Sequence, residues 1–262
     1  MPFHIDLSNQ TAIITGVTSG IGAGIAKMFA RANANISGCG LEPIDHENVQ
    51  EFIRNCRREN GITPVYVQTD VTDRAKLKNF VELTVEKFGS IDVVASNAGT
   101  NVYRGAENCS EEDWLANMRL NLESHWILAK LCKPHLDKSS NGVIIINSSS
   151  HCLNTIAGSF PYNIAKTGLK ALIQSLTVEW APSIRTIGIA PGFIDTKLAE
   201  EYFSTFPNPA VKRAEIEHAH PLHRLGTPEE IGGWFVFLSS QYAAFAGGQT
   251  YIIDGGRSAV MM

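Results

Sequence analysis

Apolar residues along this chain fall into short continuous runs closed by glycine or small polar residues, and these alternate with longer stretches of helical spacing. Thr11-Ala12-Ile13-Ile14-Thr15 is the first run, and behind it Ile25, Ala26, Met28, Phe29 and Ala30 recur at helical intervals. The same rhythm predicts strands at Ala34–Cys39, Val65–Val67, Ile91–Ala95, Val143–Ile146, Thr186–Ala190 and Thr250–Ile253. It predicts helices at Val49–Arg58, Leu77–Phe88, Trp114–Leu131, from Tyr162 onward, and at Glu229–Leu238. The stretch 193–223 is polar and irregular. Runs that are apolar throughout belong to strands covered on both faces, and repeated strand–helix units supply that cover. The expected fold is α/β, a doubly wound parallel sheet of about seven strands with helices on both faces.

Composition narrows the function classes. With 262 residues, 44% of them hydrophobic and 18% charged, the chain can build one sizeable core. No Pro/Ser/Gly-rich linker or charge run divides it, so 1–262 reads as a single domain with 193–223 as a substrate-binding lid. A net charge of −4 leaves no basic footprint for nucleic acid. No apolar run reaches the roughly 20 residues that span a bilayer. Met1 to Asp6 lack the charged and apolar regions of a leader peptide. Five scattered cysteines without C-x-x-C spacing fit free thiols in a reducing cytoplasm. The histidines suggest no metal site; His218 and His220 alone have ligand spacing, and they fall in the irregular stretch.

Two stretches carry chemistry. Gly16-Val17-Thr18-Ser19-Gly20-Ile21-Gly22 joins the first strand to its helix, an arrangement that aims backbone N–H groups and the positive helix end at a pyrophosphate. Its spacing is G-x-x-x-G-x-G rather than the commoner G-x-G-x-x-G, and a tight turn without a ligand would also account for the glycines. Farther on, the strand at Val143 ends in Asn147-Ser148-Ser149-Ser150, where open α/β sheets build their sites. Tyr162 and Lys166 follow, four apart and stacked on one helix face. A phenol has a pKa of about 10, and an ammonium within reach lowers it, making Tyr162 usable as a general acid or base. Alone, Tyr-x-x-x-Lys is equally a surface helix pair.

Taken in order, these motifs resemble the short-chain dehydrogenase/reductase family over essentially the whole chain, which implies a Rossmann-type NAD(P)-binding fold and an oxidoreductase. The family's Thr-Gly-x-x-x-Gly-x-Gly turn is Thr15 to Gly22, its Asp-Val is Asp70-Val71, and its Asn-Ala-Gly is Asn97-Ala98-Gly99. Its helix asparagine is Asn121, and its serine, thirteen before Tyr162, is Ser149 rather than Ser148 or Ser150. Its Pro-Gly-x-x-x-Thr is Pro191 to Thr196, and its terminal Asp-Gly-Gly is Asp254 to Gly256. The resemblance implies that Gly16, Thr18, Ser19, Gly20, Ile21, Gly22, Asp70, Val71, Asn97, Ala98, Gly99, Pro191, Gly192, Ile194 and Thr196 contact the cofactor. It implies proton exchange at Tyr162, hydrogen bonding to the substrate oxygen from Ser149, and two tasks for Lys166, tuning Tyr162 and holding the nicotinamide ribose. Asn121 would support a water chain, or merely bridge backbone groups.

Three positions depart from the family pattern: Ser96 and Ile187 replace asparagines, and Gly40 stands where an acid often grips the ribose. Glu42, twenty residues beyond Gly22, takes over that distance. Thr18, Ser19 and Leu41 offer no cation for a 2′-phosphate, so NAD is favoured over NADP unless Arg31 or Lys27 lies closer. Candidate substrate contacts are Asn101, Arg104, His151, Asn154, Tyr202 and Arg213, with His151 equally explained as a loop histidine. Phe193, Tyr202, Phe203 and Phe206 pack either a lid or a substrate. This polar set tilts towards a sugar, polyol or hydroxy acid. The alternatives are an NADPH-dependent ketoacyl-type reductase and a non-catalytic nucleotide-sensing regulator. Apolar residues on more than one side of the Asn121 and Tyr162 helices suggest a homotetramer, with a dimer as the fallback.

Overall fold

A computed structural model describes residues 4–260; Met1, Pro2 and Phe3, part of the leader reading, lie outside the described residues. Seven strands form one all-parallel sheet in the order β3-β2-β1-β4-β5-β6-β7. They are β1 (Thr11–Thr15), β2 (Asn35–Gly40), β3 (Val65–Gln68), β4 (Val93–Ser96), β5 (Gly142–Asn147), β6 (Ile184–Pro191) and β7 (Thr250–Ile253). Between β1 and β4 the order of winding reverses, which opens a crevice beyond the carboxyl ends of the strands.

The continuous apolar runs are explained by two cores, one on each face. Alternate residues of one strand point to opposite faces, so Ala12 and Ile14 of β1 join one core while Ile13 joins the other. The first core is closed by α1 (Gly20–Arg31), α2 (Glu47–Asn60) and α9 (Pro228–Ser239), through Phe29, Phe52 and Phe235. The second is closed by α3 (Arg74–Phe88), α5 (Ser124–Leu136) and α6 (Tyr162–Trp180), through Phe80, Leu128 and Leu169. Local chemistry sets the helix ends. Asp73 caps α3 by accepting from Ala75 N and Lys76 N, and Thr227 with Glu230 forms a capping box on α9.

Two expectations change. The helix predicted at Trp114–Leu131 is α4 (Glu111–Met118), then a π-helical turn at Arg119–Glu123, then α5. The stretch 193–223 is not irregular, since it carries α7 (Lys197–Ser204) and α8 (Pro209–His218). Thr196 and Asn208 cap these helices, and Phe203, Ala199 and Leu225 bury a small core of their own with Phe193, Tyr202 and Ile216. The two helices are short and mostly polar, so their periodicity is masked. His220, placed by the sequence in that irregular stretch, is buried, with its Nδ1 2.6 Å from the Ile216 carbonyl oxygen. Among the described residues no helix is long and apolar enough to cross a membrane.

Candidate active site

The first βα turn builds one wall of the crevice. Gly16 N and Val17 N donate to Cys39 O, folding the turn across the end of β2, and Gly16 takes a left-handed conformation (φ 74°). Gly22 is required by close approach, because a Cβ there would lie 1.8 Å from the Gly16 carbonyl oxygen. Ser19 precedes α1 without making a side-chain cap, so the helix's first N–H groups open onto the crevice instead of onto a hydroxyl. Such a terminus suits a phosphate, and the absence of a Cβ at Gly22 lets the turn pack against the helix start and leave these N–H groups at the crevice. The residues present therefore fit a dinucleotide.

A hydrogen-bonded path leads from this turn to the other wall. Thr15 Oγ1 accepts from Asn97 N and Ala98 N, both at 2.9 Å. Asn147 Nδ2 donates to Asn97 Oδ1 at 2.8 Å, and Lys166 Nζ donates to the Asn147 carbonyl at 3.1 Å. Asn147 received no role from the motifs, although its place at the end of β5 could have drawn attention to it. Asn121 lies in the π-helical turn, fully buried, and its amide bridges Thr100 N, Thr100 O and Asn117 Oδ1. Asn117 in turn donates to the Pro161 carbonyl at 3.0 Å, fixing the start of α6. Asn121 thus bridges backbone outside its own helix, and a π-turn at such a position is a common feature of functional sites.

Tyr162 and Lys166 face the crevice from the first turn of α6, at 8% and 3% exposure. Burial pushes the Tyr162 phenol above its ordinary range; Tyr103 adds to this, and a hydrogen bond with the Ser149 hydroxyl opposes it. Burial also lowers Lys166 to about 8, against a smaller opposing effect of Cys152. The expected acidification of Tyr162 by Lys166 is thereby outweighed in the protein alone. Both groups are desolvated, and Lys166 Nζ sits 5.6 Å from the centre of the phenol ring. Ser149 Oγ accepts from His151 N at 3.2 Å and so anchors the next turn.

Together these groups line a cleft of about 1010 Å³, at the upper end for small-molecule sites. At its β1–β3 end lie Thr18, Ser19, Gly20, Ile21, Gly40, Leu41, Glu42, Asp70 and Val71. A Cβ on Gly40 would meet Thr18 Cγ2 at 2.7 Å, so a side chain at this strand end would crowd the glycine turn. Glu42 and Asp70 are both half-buried acids here, and the Glu42 backbone carbonyl accepts from Tyr66 Oη at 2.6 Å. Arg31 and Lys27 are tied elsewhere, to Glu59 and Glu229. The cleft is also lined by Asn97, Ala98, Gly99, Pro191, Gly192, Ile194 and Thr196, with Gly99 beside Lys166 and Thr196 beside Gly20.

Of the six substrate candidates, His151, Asn154 and Tyr202 line the cleft and Arg104 does not. The Arg104 Nε donates to Asp113 at 2.8 Å on the exposed side of its loop. Asn101 lines the cleft, whereas Arg213 is held by Asp195 and Glu217. Phe193 and Tyr202 pack on Phe203 and also line the cleft. Tyr103, Thr155, His220 and Arg257 also line it and had no motif to announce them. Tyr103 reaches the site because its residue pairs with Pro161 in an isolated bridge. Among the described residues no cluster of three His, Cys, Asp or Glu side chains could hold a metal.

Comparison with known proteins agrees with this geometry. Residues 16–258 match a family model described as enoyl-(acyl carrier protein) reductase. A 3-oxoacyl-[acyl-carrier-protein] reductase of Thermotoga maritima is 32% identical, over 95% of this chain and 98% of that protein. A sorbose reductase of Schizosaccharomyces pombe is 29% identical, over 98% of each. The ligand-free structure of Thermoplasma acidophilum aldohexose dehydrogenase superposes with a TM-score of 0.89 at 25% identity, covering 99% of this chain and 98% of that one.

Proposed function

The chain belongs to the short-chain dehydrogenase/reductase family of oxidoreductases, and on that premise we propose that it is NAD-dependent and interconverts a secondary alcohol and a carbonyl on a small polar substrate. The observation that carries this reading is the meeting of Ser149, Tyr162 and Lys166 on one wall of a cleft whose other wall is a glycine turn with an uncapped helix end. A bound nicotinamide dinucleotide supplies the hydride donor or acceptor. The turn from Gly16 to Gly22, with Asp70, Val71, Asn97 to Gly99, and Pro191 to Thr196, would hold it.

Everything else falls to side chains. Tyr162, kept protonated by its burial, is ready to give a proton to a substrate carbonyl oxygen. Towards oxidation the phenol must first release its own proton to solvent and then take the one from the substrate hydroxyl, a loss that the Ser149 hydrogen bond and the adjacent Lys166 ease. Ser149 steadies charge that develops on the substrate oxygen. Asn121 holds the Thr100 loop and, through Asn117, the first turn of α6, so it positions Tyr162 and Lys166.

NAD is supported by charge. Glu42 and Asp70 are the ionisable residues lining the β1–β3 end, and both would repel a 2′-phosphate. A sugar or polyol substrate is supported by His151, Asn154 and Tyr202, and by the names of the sorbose and aldohexose enzymes that the chain resembles. Segment 193–223 serves as the lid. Exposed Trp126 on α5, with Ile164 and Val178 on α6, supports assembly into a homotetramer through these helices. A ketoacyl-type reductase using NADPH is the competing reading, favoured by the Thermotoga relative.

Absorbance of NADH or NADPH in the presence of sugars, polyols and ketoacyl thioesters separates the two. NADH formation with a sugar or polyol is expected, and activity confined to NADPH with a thioester rejects the proposal. Tyr162→Phe keeps the ring and removes the proton carrier, so turnover should fall by about 10²–10⁴. Normal turnover in that variant would remove Tyr162 from the mechanism.

A further inference from the structure

The cleft holds a polar pair that the proton-transfer scheme leaves unused. Tyr103 and His151 each meet Tyr162 edge-on, with ring centroids 5.5 and 5.8 Å away, and they meet each other at 5.9 Å. We infer that Tyr103 and His151 together read a hydroxyl on the carbon next to the reacting one, so that the substrates are vicinal diols and the matching α-hydroxy ketones. The inference rests on the dehydrogenase reading above and narrows its substrate class.

His151 is held in place from two sides. Its backbone N donates to Ser149 Oγ at 3.2 Å, and its Nδ1 lies 3.0 Å from Thr155 Oγ1. The remaining nitrogen, Nε2, faces Tyr103 Oη at 3.4 Å. That separation is long beside the roughly 2.7–2.9 Å of a well-made bond to a hydroxyl. Both tips therefore keep capacity for a third group, and an alcohol can donate to one and accept from the other. Burial favours this use. It lowers the His151 pKa, which keeps the imidazole neutral, and raises the Tyr103 phenol to about 12, which keeps it a donor. A neutral donor–acceptor pair matches a hydroxyl better than a carboxylate or phosphate.

Position sets which hydroxyl is read. Both rings are in direct contact with Tyr162, so the pair is next to the reacting oxygen rather than at the far end of an extended substrate. An acyl chain placed there would offer neither polar tip a partner beyond their long mutual contact, and would bind less well for that reason. Simple aromatic packing around Tyr162 would give the same ring contacts, and it makes a different prediction.

The test compares butane-2,3-diol with butan-2-ol, which differ by the vicinal hydroxyl, as substrates with NAD. The wild-type protein should favour the diol in kcat/KM by about tenfold or more, the worth of one well-made hydrogen bond. His151→Leu and Tyr103→Phe should each bring that ratio towards one, mainly through KM for the diol, while the NADH dissociation constant measured by fluorescence stays put. A wild-type ratio of one overturns the inference, and so do variants that lower both alcohols in equal proportion, since that is the packing outcome. Turnover without diol preference defeats this inference alone. No turnover with either alcohol or any member of the wider panel defeats the dehydrogenase reading and the inference with it.

Discussion

At the β1–β3 end the cleft presents backbone to a ligand: the Gly16–Gly22 turn, the first N–H groups of α1, and strand ends at Gly40 and Asp70. At the β5–β7 end it presents side chains: Tyr103, His151, Tyr162, Tyr202, His220 and Arg257, drawn from elements far apart in the chain. A backbone surface is specified by residues next to one another and by the lack of Cβ atoms, so it tolerates little change and recognises a part common to many ligands. A side-chain surface is specified by tertiary placement, so it can be altered residue by residue. Under the function proposed above, the first end would fix the reaction's partner and the second would choose the substrate.

The comparison breaks first at Gly22. Gly22→Ala places a methyl against the Gly16 carbonyl oxygen, and relief requires the turn itself to move. The expected result is a loss of roughly 1–3 kcal/mol or more in stability, with dinucleotide binding weakened at least tenfold. Calorimetry and NADH titration measure both. A variant that binds normally would show that this end is not governed by backbone approach.

Lys166 sharpens the contrast by pH. Its folded-state pKa of about 8 lies below the ordinary 10.5, so between those values the unfolded chain holds more protons than the folded one. Stability therefore rises with pH across that window, by roughly 3 kcal/mol at about 1.4 kcal/mol per unit. Below pH 8 the burial cost is carried in full. Lys166→Met should flatten the rise in chemical denaturation measured from pH 7.5 to 10, and an unchanged slope would assign it to another group.

The smallest effect belongs to the 193–223 segment. Arg213 grips Asp195 through two hydrogen bonds, at 3.1 and 2.6 Å, tying α8 to the strand end after β6. The pair is partly exposed, so Arg213→Ala should cost no more than about 1 kcal/mol in stability. A several-fold rise in substrate KM with a smaller change in the NADH dissociation constant is expected, because α7 and α8 carry Tyr202 and Ile216 to the side-chain end, while Ile194 and Thr196 precede both helices. Equal weakening of cofactor and substrate would show that the two ends are not separable.

Much of the architecture was readable along the chain. Continuous runs such as Ile144-Ile145-Ile146 can satisfy burial on both faces only inside a covered parallel sheet, and the strand at Thr250 was placed to the residue. Helix α1 and its turn were readable because periodicity and glycine spacing are local signals. The two helices of 193–223 were not, because their apolar faces are narrow and close over a core of a few residues. Arg104 looked available for a substrate until its loop carried it to Asp113. Tyr103 looked like any loop aromatic until the bridge to Pro161 set it against Tyr162.

By itself, then, the sequence determined the sheet, the glycine turn and the order of the residues Asn121, Ser149, Tyr162 and Lys166, since each depends on neighbours within a few positions. Tertiary structure alone decided which polar side chains line the substrate end and how burial sets their protonation. Desolvation and contact depend on atoms brought in from distant segments, and no local pattern records which atoms those are.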